Sequence, residues 1–289
     1  MTLTDPLGVE LRLDAWRLAL RPDLGGCVAG LWWNGHPVLR STEPMALTGA
    51  RRAASYPLVP YSNRIADGHL PWQGHVHRVR LNVADSPHPM HGVGFQRAWT
   101  VVHRTAEAVE LRLCHTPDAD WPFAFEACQR IELSPRSLRF ELSATHRGPG
   151  TAPMGLGWHP YFLKRPGSRL QAAVVGRWEM DERKLPTQLR PCDALDAPIE
   201  ALDLDHCHTG WSGEAFLHDQ SFDLRLRAST EYLVVFTPPT RPDYAVEPVS
   251  HANDAFHRDD PLAHGLVALA EGQTHSAWMQ IDLLEARLS

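Results

Sequence analysis

The stretch Ser137-Leu138-Arg139-Phe140-Glu141-Leu142-Ser143-Ala144 alternates polar and apolar residues without a break. An extended chain points successive side chains to opposite faces, so every second residue from Leu138 to Ala144 would share one buried face. Period two over this length predicts a half-buried β-strand. Comparable alternation recurs in the sets Leu11, Leu13 and Ala15; Val79, Leu81 and Val83; Val109, Leu111 and Leu113; Phe222, Leu224 and Leu226; and Ala277, Met279, Ile281 and Leu283.

Turn-forming residues separate these segments, at Gly25-Gly26, Asn34-Gly35, Gly148-Pro149-Gly150 and Pro238-Pro239. No segment has clean helical periodicity, and 24 prolines and 20 glycines interrupt the chain too often for long helices. We therefore predict an all-β fold, a large antiparallel β-sandwich with few short helices. Composition does not shift along the chain, so one domain over residues 1–289 is expected, with Pro186–Pro198 as a long loop.

Bulk composition excludes several classes of protein. A hydrophobic content of 43% over 289 residues supports a real core, and a net charge of −6 without charge blocks argues against nucleic-acid binding. Met1–Pro6 has no basic or apolar run, so no signal peptide is expected, and no stretch approaches the ~20 apolar residues of a membrane helix. The scattered cysteines Cys27, Cys114, Cys128, Cys192 and Cys207 favour a reducing, cytoplasmic location without disulfides.

Five short motifs carry residues suited to a hydroxyl-rich ligand or to proton transfer. They are Pro60–Gly68 with Asn63 and Arg64, His88–Phe95 with His91, Gly155–Phe162 with His159 and Tyr161, Leu204–Trp211 with Asp205 and Trp211, and Tyr244–Pro248 with Glu247. Arginine and asparagine donate several hydrogen bonds, aspartate accepts them, and an indole covers an apolar sugar face. Taken alone, each motif also has an ordinary structural explanation, such as a surface turn, a core histidine or a strand end.

His159 and Glu247 are each followed by proline, at Pro160 and Pro248. Proline disfavours the α conformation in the preceding residue, so both side chains are expected on extended backbone. An imidazole and a carboxylate on adjacent strands could meet across a cleft. Such a pair is the minimum needed to place one proton on a substrate while another is removed.

Other chemistries have weaker support. His75-Val76-His77 and His206-Cys207-His208 each put two imidazoles on one strand face, a spacing that metal sites use. The further Glu and His of a metal-binding barrel do not follow His75, so we predict no metal site. The chain also lacks a GxSxG elbow, a P-loop and a dinucleotide fingerprint, which leaves acyl transfer and nucleotide chemistry unsupported.

Taken in order, the five motifs resemble the aldose 1-epimerase (galactose mutarotase) family over nearly the whole chain. The matching pieces are Asn63-Arg64-Ile65 with Gly68, His91-Gly92 with Gly94-Phe95 and Trp99, His159-Pro160-Tyr161-Phe162, Asp205, and Glu247-Pro248. The run from Asp205 to Trp211 is similar to the Asp-x-Cys-x-x-Gly-Trp turn of a bacterial epimerase-like branch.

The resemblance implies a large β-sandwich with a carbohydrate cleft on one concave sheet, and neither a metal nor an organic cofactor. It places the general acid on His159 and the general base on Glu247. It places a second active-site histidine on His91, a sugar-binding arginine on Arg64 and a sugar-binding aspartate on Asp205. From their chemistry, Asn63, Tyr161 and Trp211 are expected to contact the sugar as well. The implied partner is a free aldose, without nucleic acid or membrane, for a monomer or homodimer.

The resulting hypothesis is a mutarotase, which interconverts the α and β anomers of a free aldose by opening and closing the ring. Protonated His159 would donate a proton to the ring oxygen, and ionised Glu247 would accept the proton of the C1 hydroxyl. The unperturbed pKa values, about 6.5 for histidine and about 4.3 for glutamate, leave a pH range in which His159 is protonated and Glu247 is ionised. A nearby carboxylate would raise the histidine pKa and so widen this range. The expected pH profile is bell-shaped.

Three other functions stay open at this point. A hexose-phosphate epimerase would need extra cations near the cleft, and Arg51-Arg52 could serve. A non-catalytic sugar-binding protein could use the same sandwich, since fold alone does not decide function. A lyase or hydrolase could use the same His/Glu pair, although hydrolysis generally prefers paired carboxylates.

Overall fold

The computed structural model describes residues 8–288, which form β-strands joined by turns and single-turn 3₁₀ helices, with no α-helix in that range. Met1–Pro6, on which the expectation of no signal peptide rests, lies outside the described residues. No helix within residues 8–288 is long and apolar enough to cross a membrane.

The strands of the described chain are β1 (Val9–Leu13), β2 (Trp16–Arg21), β3 (Cys27–Trp33), β4 (His36–Pro37), β5 (Pro57–Leu58), β6 (His69–Trp72), β7 (His75–Arg78), β8 (Thr100–Arg104), β9 (Ala108–His115), β10 (Phe125–Ser134), β11 (Ser137–His146), β12 (Thr151–Met154), β13 (Gly157–Trp158), β14 (Tyr161–Leu163), β15 (Arg169–Ala172), β16 (Gly176–Met180), β17 (Pro186–Pro191), β18 (Leu195–Pro198), β19 (Asp205–Thr209), β20 (Glu214–His218), β21 (Phe222–Ala228), β22 (Tyr232–Phe236), β23 (Asp243–Val249), β24 (Val267–Ala270) and β25 (Thr274–Ala286). The 3₁₀ helices span Pro44–Ala46, Ala50–Arg52, Ala66–Gly68, Gly94–Gln96, Ile199–Ala201 and Ala255–His257.

Two large antiparallel sheets dominate the architecture. The first has nine strands in the order β18-β15-β20-β21-β25-β11-β10-β9-β8. The second has the order β17-β16-β19-β22-β23-β13-β5, and β14 joins it by pairing with β23. Smaller sheets are β1-β2-β3-β4, β12-β24 and β6-β7.

Alternation builds the core between the two large sheets. In β11, Leu138, Phe140, Leu142 and Ala144 are all buried, while Arg139, Glu141 and Ser143 between them reach the surface. The Phe140 ring lies 6.4 Å from the ring of Trp158 in β13, which links the two sheets across the core. Burial of a side chain of this size contributes about 2 kcal/mol. The predicted all-β fold of antiparallel sheets is confirmed.

One predicted strand is wrong. Val79, Leu81 and Val83 follow the end of β7 and pair with no strand of the described chain, and Leu81 is 54% exposed. Two backbone amides in this segment donate to loop carbonyls instead, Val79 N to Gly68 O and Arg80 N to Ala119 O. Alternation predicts a strand only where a neighbouring strand supplies partners for the backbone.

Two further segment boundaries differ from expectation. The predicted loop Pro186–Pro198 contains two strands, β17 and β18, which lie at the outer edges of the two large sheets. Proline is tolerated at sheet edges because one side of an edge strand needs no amide donor. The first predicted strand ends at Leu13, and Ala15 lies in the turn before β2, next to Asp14 with a φ of 50°.

Candidate active site

Strand register brings His159 and Glu247 together. β23 pairs with β13 through Gly157 and Val249 and with β14 through Tyr161 and Ala245, so His159 falls opposite Glu247. In β23 the even-numbered Tyr244 and Val246 enter the core between the sheets, which turns Glu247 to the other face. His159 Nε2 lies 3.2 Å from Glu247 Oε1. The prediction that an imidazole and a carboxylate meet on adjacent strands is therefore met by direct contact.

The two prolines interrupt the ladder beside this pair. Neither Pro160 nor Pro248 has an amide hydrogen to donate. The His159 and Tyr161 amides donate to the carbonyls of Tyr56 and Ala54, on the side away from β23. The chain is thereby held from its other side, while the side chains of His159 and Glu247 stay in register.

Burial opposes the expected ionisation of both members of the pair. Side-chain exposure is 6% for His159 and 3% for Glu247. Desolvation lowers the pKa of His159 well below its ordinary value and raises the pKa of Glu247 well above its ordinary value. The expectation of a raised histidine pKa is therefore wrong, because desolvation is the largest influence on His159 and the nearby His91 and Arg40 lower its pKa further.

The contact allows one proton to be shared between the two groups. A neutral imidazole with a carboxylic acid and an imidazolium with a carboxylate hold the same number of protons and the same total charge. Moving that proton across a 3.2 Å contact interconverts the two forms. Two interacting sites of this kind titrate as a unit rather than as separate groups.

His91 is fixed by a reciprocal pair of hydrogen bonds with Asn63. The Asn63 amide donates to His91 Nδ1 at 3.1 Å, and the His91 amide donates to the Asn63 carbonyl at 2.8 Å. Both residues have positive φ, 57° and 62°. Because Nδ1 accepts, the neutral ring carries its hydrogen on Nε2. Burial lowers the pKa of His91 to about 3, so this ring is a neutral donor.

The backbone at Gly92 requires glycine. Its φ is +69°, and a Cβ there would lie 2.3 Å from the Val59 carbonyl oxygen and 2.6 Å from Pro60 Cδ. The loop that carries His91 can pack this closely against the segment before Asn63 only without a side chain at Gly92.

Gly92→Ala is expected to destabilise the protein more than Gly74→Ala. Gly74 has a similar φ of +78° but open space around its Cα, so its substitution measures the cost of the backbone conformation alone, about 1–2 kcal/mol. The clash at Gly92 should add at least ~1 kcal/mol. Urea unfolding of both variants tests this, and equal losses would contradict the packing described.

Arg64 and Asp205 face each other from separate parts of the chain. Arg64 Nη2 lies 3.8 Å from Asp205 Oδ2, and Lys184 Nζ lies 3.9 Å from the same oxygen. Arg64 Nη1 donates to the Asn63 side-chain oxygen at 3.2 Å. These long ion pairs leave donors on Arg64 and lone pairs on Asp205 for a ligand hydroxyl.

These side chains line one hollow on the face of the second large sheet away from the core. Its volume is about 150 Å³, smaller than pockets that take drug-sized ligands. The lining residues are Arg51, Tyr56, Asn63, Arg64, Val83, Asp85, Ser86, Met90, His91, His159, Tyr161, Asp205, Phe236, Arg241 and Glu247. Seven of the eight predicted site residues therefore meet at one place.

Trp211 is the exception. It is 6% exposed, belongs to the core between the sheets, and donates from Nε1 to the Glu214 carbonyl at 2.9 Å. The expected turn from Asp205 to Trp211 is a strand, β19, up to Thr209. That strand carries the indole away from Asp205, so the prediction that Trp211 contacts the ligand is not supported by its position.

Sequence reasoning missed Tyr56 and Arg241. The Tyr56 ring lies 4.8 Å from the His159 ring and 6.4 Å from the Tyr161 ring, and the Tyr161 hydroxyl is 3.3 Å from His159 Nε2. Arg241 lies over the Tyr161 ring at 5.2 Å. Neither belongs to a recognisable motif, although Tyr56 lies just before the Asn-Arg motif and Arg241 just before β23.

A larger concavity of about 460 Å³ lies on the outer face of the first large sheet, around Trp278. Its carboxylates, Glu110 and Glu141, stand in register on either side of Arg130, and no histidine lines it. Among residues 8–288, no group of three or more His, Cys, Asp or Glu side chains is arranged to hold a metal ion. Proton-transfer groups within hydrogen-bond reach of each other are found in the smaller hollow.

The fold is shared with solved structures of galactose mutarotase-like proteins. A galactose mutarotase-like protein from Clostridium acetobutylicum superposes with a TM-score of 0.85 at 18% identity, covering 97% of this chain and 95% of its own. A candidate aldose 1-epimerase from Escherichia coli K12 has a TM-score of 0.87 at 27% identity, covering 97% and 99%. The architecture is therefore a galactose mutarotase-like β-sandwich.

Sequence comparison defines the family. The profile of the family described as Aldose 1-epimerase matches residues 9–282. YphB of Escherichia coli K12, an uncharacterised protein, is 29% identical over 278 residues, which is 90% of this chain and 93% of YphB. The chain belongs to the aldose 1-epimerase family, so the resemblance found in its motifs is confirmed.

Proposed function

We propose that this protein is an aldose 1-epimerase that interconverts the anomers of a free aldose bound in the hollow, with His159 and Glu247 as its proton carriers. The observation that supports this most is the 3.2 Å contact between two buried, oppositely chargeable groups on the floor of the hollow. Asn63, Arg64, His91, Tyr161 and Asp205 surround the pair and offer the donors and acceptors that sugar hydroxyls need.

The reaction moves one proton from the C1 hydroxyl to the ring oxygen. Glu247, as carboxylate, takes the hydroxyl proton, the C1 carbonyl forms, and the bond between C1 and the ring oxygen breaks as His159, as imidazolium, protonates that oxygen. After rotation about the C1–C2 bond, closure runs the same transfers in reverse and restores both groups. Glu247 Oε2 is buried without a hydrogen-bond partner among the described residues, and a substrate hydroxyl would satisfy it.

The pH profile is expected to be a bell whose limbs belong to the His159–Glu247 pair as a unit rather than to the two unperturbed groups. The pair gains a second proton only when His159 is protonated as well, and burial moves that step below the ordinary histidine pKa. The pair loses its proton only when Glu247 ionises, and burial moves that step upward. The acid limb should therefore lie below about pH 6.5 and the alkaline limb above about pH 4.3. An acid limb of kcat/KM above about pH 6.5 would contradict the shared-proton arrangement.

Polarimetry tests the proposed function directly. Freshly dissolved α-anomers of hexoses and pentoses are followed with and without protein, and the spontaneous rate is subtracted. An epimerase accelerates the decay in proportion to protein concentration. A sugar-binding protein without catalysis leaves the rate unchanged, and that result across the panel would rule out the proposal.

A further inference from the structure

Arg40 does not line the hollow but contacts Tyr161, which does. The guanidinium carbon of Arg40 lies 3.5 Å from the centre of the Tyr161 ring. The same ring stacks on the His159 imidazole, with 4.3 Å between the ring centres and 26° between the ring planes. A permanent cation and a proposed proton carrier therefore contact one aromatic ring.

The protein holds the Arg40 side chain in place. Its Nη2 donates to the carbonyls of Arg51 at 2.8 Å and Ala53 at 2.6 Å, and its Nη1 lies 3.3 Å from Asp243 Oδ2. The Arg40 backbone amide also donates to the Tyr161 carbonyl at 2.9 Å. A planar guanidinium group with its donors fixed in several directions stays on the aromatic ring that it covers. Because protein acceptors occupy these donors, Arg40 is not a ligand-binding group.

The His159 imidazole depends on its ring contacts for its orientation. A catalytic imidazole is usually oriented by a hydrogen bond at the nitrogen that does not carry out the chemistry. His159 Nδ1 is buried without a hydrogen-bond partner among residues 8–288. His159 Nε2 lies 3.2 Å from Glu247 Oε1 and 3.3 Å from the Tyr161 hydroxyl. Tyr161 thus contacts the imidazole both through its ring face and through its hydroxyl.

The charge of Arg40 also reaches the proton-transfer pair. Titratable or charged side chains face His159 from several elements, and they are Glu247 in β23, Tyr161 in β14, His91, Tyr56, Arg40 and Arg241. Desolvation lowers the pKa of His159 most, and His91, Arg40 and Arg241 lower it further. A fixed cation makes a nearby imidazolium more ready to release its proton.

We propose that Arg40 is a positioning residue of the proton-transfer site, which holds the Tyr161 ring against His159 and places a permanent cation beside the His159–Glu247 pair. The inference rests on the proposed epimerase function and adds to it a residue that does not contact the sugar.

The test measures kcat and KM of the full-length Arg40→Gln variant with the best aldose of the panel, above the spontaneous rate. We expect kcat to fall about fivefold or more, because the imidazole is less well oriented. KM should stay within about twofold of the wild-type value, because Arg40 does not contact the sugar. A residue that only stabilises the fold would change Tm without this separation of kcat from KM.

The pH dependence gives a second readout. Loss of the cation raises the pKa of His159, so the pair takes up its second proton at higher pH and the acid limb moves upward. The ratio of kcat/KM at about pH 5 to that at about pH 7 should therefore fall about threefold or more below the wild-type ratio. Arg40→Lys keeps the charge and should keep the wild-type ratio, while its kcat still falls because lysine lacks the planar group.

Two further variants test whether Arg40 acts through Tyr161. In a Tyr161→Leu background, Arg40→Gln should lower kcat little further, because the ring that transmits its effect is gone. Arg17→Gln is the matched control, since the Arg17 guanidinium lies 4.4 Å from the centre of the Trp32 ring and neither residue lines the hollow. Its kcat, KM and pH ratio should match those of the wild type.

The outcomes separate this inference from the proposed function. A folded Arg40→Gln protein with wild-type kcat, or with an unchanged pH ratio, would overturn the inference and leave the epimerase function standing. If Arg40→Gln does not fold, wild-type kcat in Arg40→Lys would overturn it equally. A wild-type protein that accelerates no sugar of the panel would overturn both.

Discussion

Glu247→Gln is expected to lower the catalysed rate of anomer interconversion by about 100-fold or more, which is the usual contribution of one positioned proton carrier. Glutamine keeps the shape and a polar contact with His159 but cannot take a proton from the C1 hydroxyl. The rate is measured above the spontaneous background with the best sugar of the panel. Glu271→Gln serves as control, because Glu271 is exposed in the turn between β24 and β25.

The same variant should be more stable than the wild-type protein at alkaline pH. Because the folded-state pKa of Glu247 is raised by burial, the folded protein holds this proton more tightly than the unfolded chain does. The contribution of Glu247 to the free energy of unfolding therefore falls as pH rises above the ordinary glutamate pKa of about 4.3. Glutamine removes that loss, so the Tm advantage of Glu247→Gln should grow from pH 5 to pH 8. An inactive variant with lowered Tm would point to misfolding instead.

His159→Gln should cause a loss of similar size, and the double variant should lose little more than either single variant. In the proposed reaction the two groups, 3.2 Å apart, share one proton, so removing either one is expected to disable the transfer as a whole. Residues that act as a unit are strongly non-additive in kinetics. His36→Gln, at an exposed position in β4, is the control.

Multiplied losses in the double variant would contradict this account. Independent effects would mean that the two groups contribute separately, one of them by binding. The two single variants would then also differ in their kinetics. Loss of a group that only binds the sugar raises KM and leaves kcat unchanged, whereas loss of a proton carrier lowers kcat.

The fold could be predicted because the apolar residues that alternate along the sequence are the ones that the sheets bury. In β9, β11, β21 and β25 the apolar residues point into one core, so pattern and structure coincide. Prediction failed where the pattern says nothing about partners. Val79–Val83 alternates but pairs with no strand among residues 8–288, and Pro186–Pro198 has the composition of a loop although its prolines lie in edge strands.

The site was predictable where chemistry lay in short motifs, and Asn63, Arg64, His91, His159, Tyr161, Asp205 and Glu247 all reach the hollow. Spacing along the chain cannot show that Asp205 begins strand β19 while Trp211 lies beyond the end of that strand. Nor can it show that burial lowers the pKa of His159 and raises the pKa of Glu247. Arg241 and Tyr56 enter the site through long-range packing, which no local pattern records.

Several expectations stay predictions. They are the organisation of residues 1–289 as one domain, the cytoplasmic location, the monomeric or homodimeric state, and function without a metal or an organic cofactor. None of them bears on the geometry of the hollow.

The most direct test of the central claim is exchange NMR on an aldose already at anomeric equilibrium, with neutral and anionic sugars each examined. The claim is that His159 and Glu247 together pass one proton between the C1 hydroxyl and the ring oxygen. The wild-type protein is predicted to raise the α/β exchange rate in proportion to its concentration, while Glu247→Gln at the same concentration leaves the rate near the spontaneous value. Equal exchange with both proteins, or no acceleration of any sugar by the wild type, would contradict it.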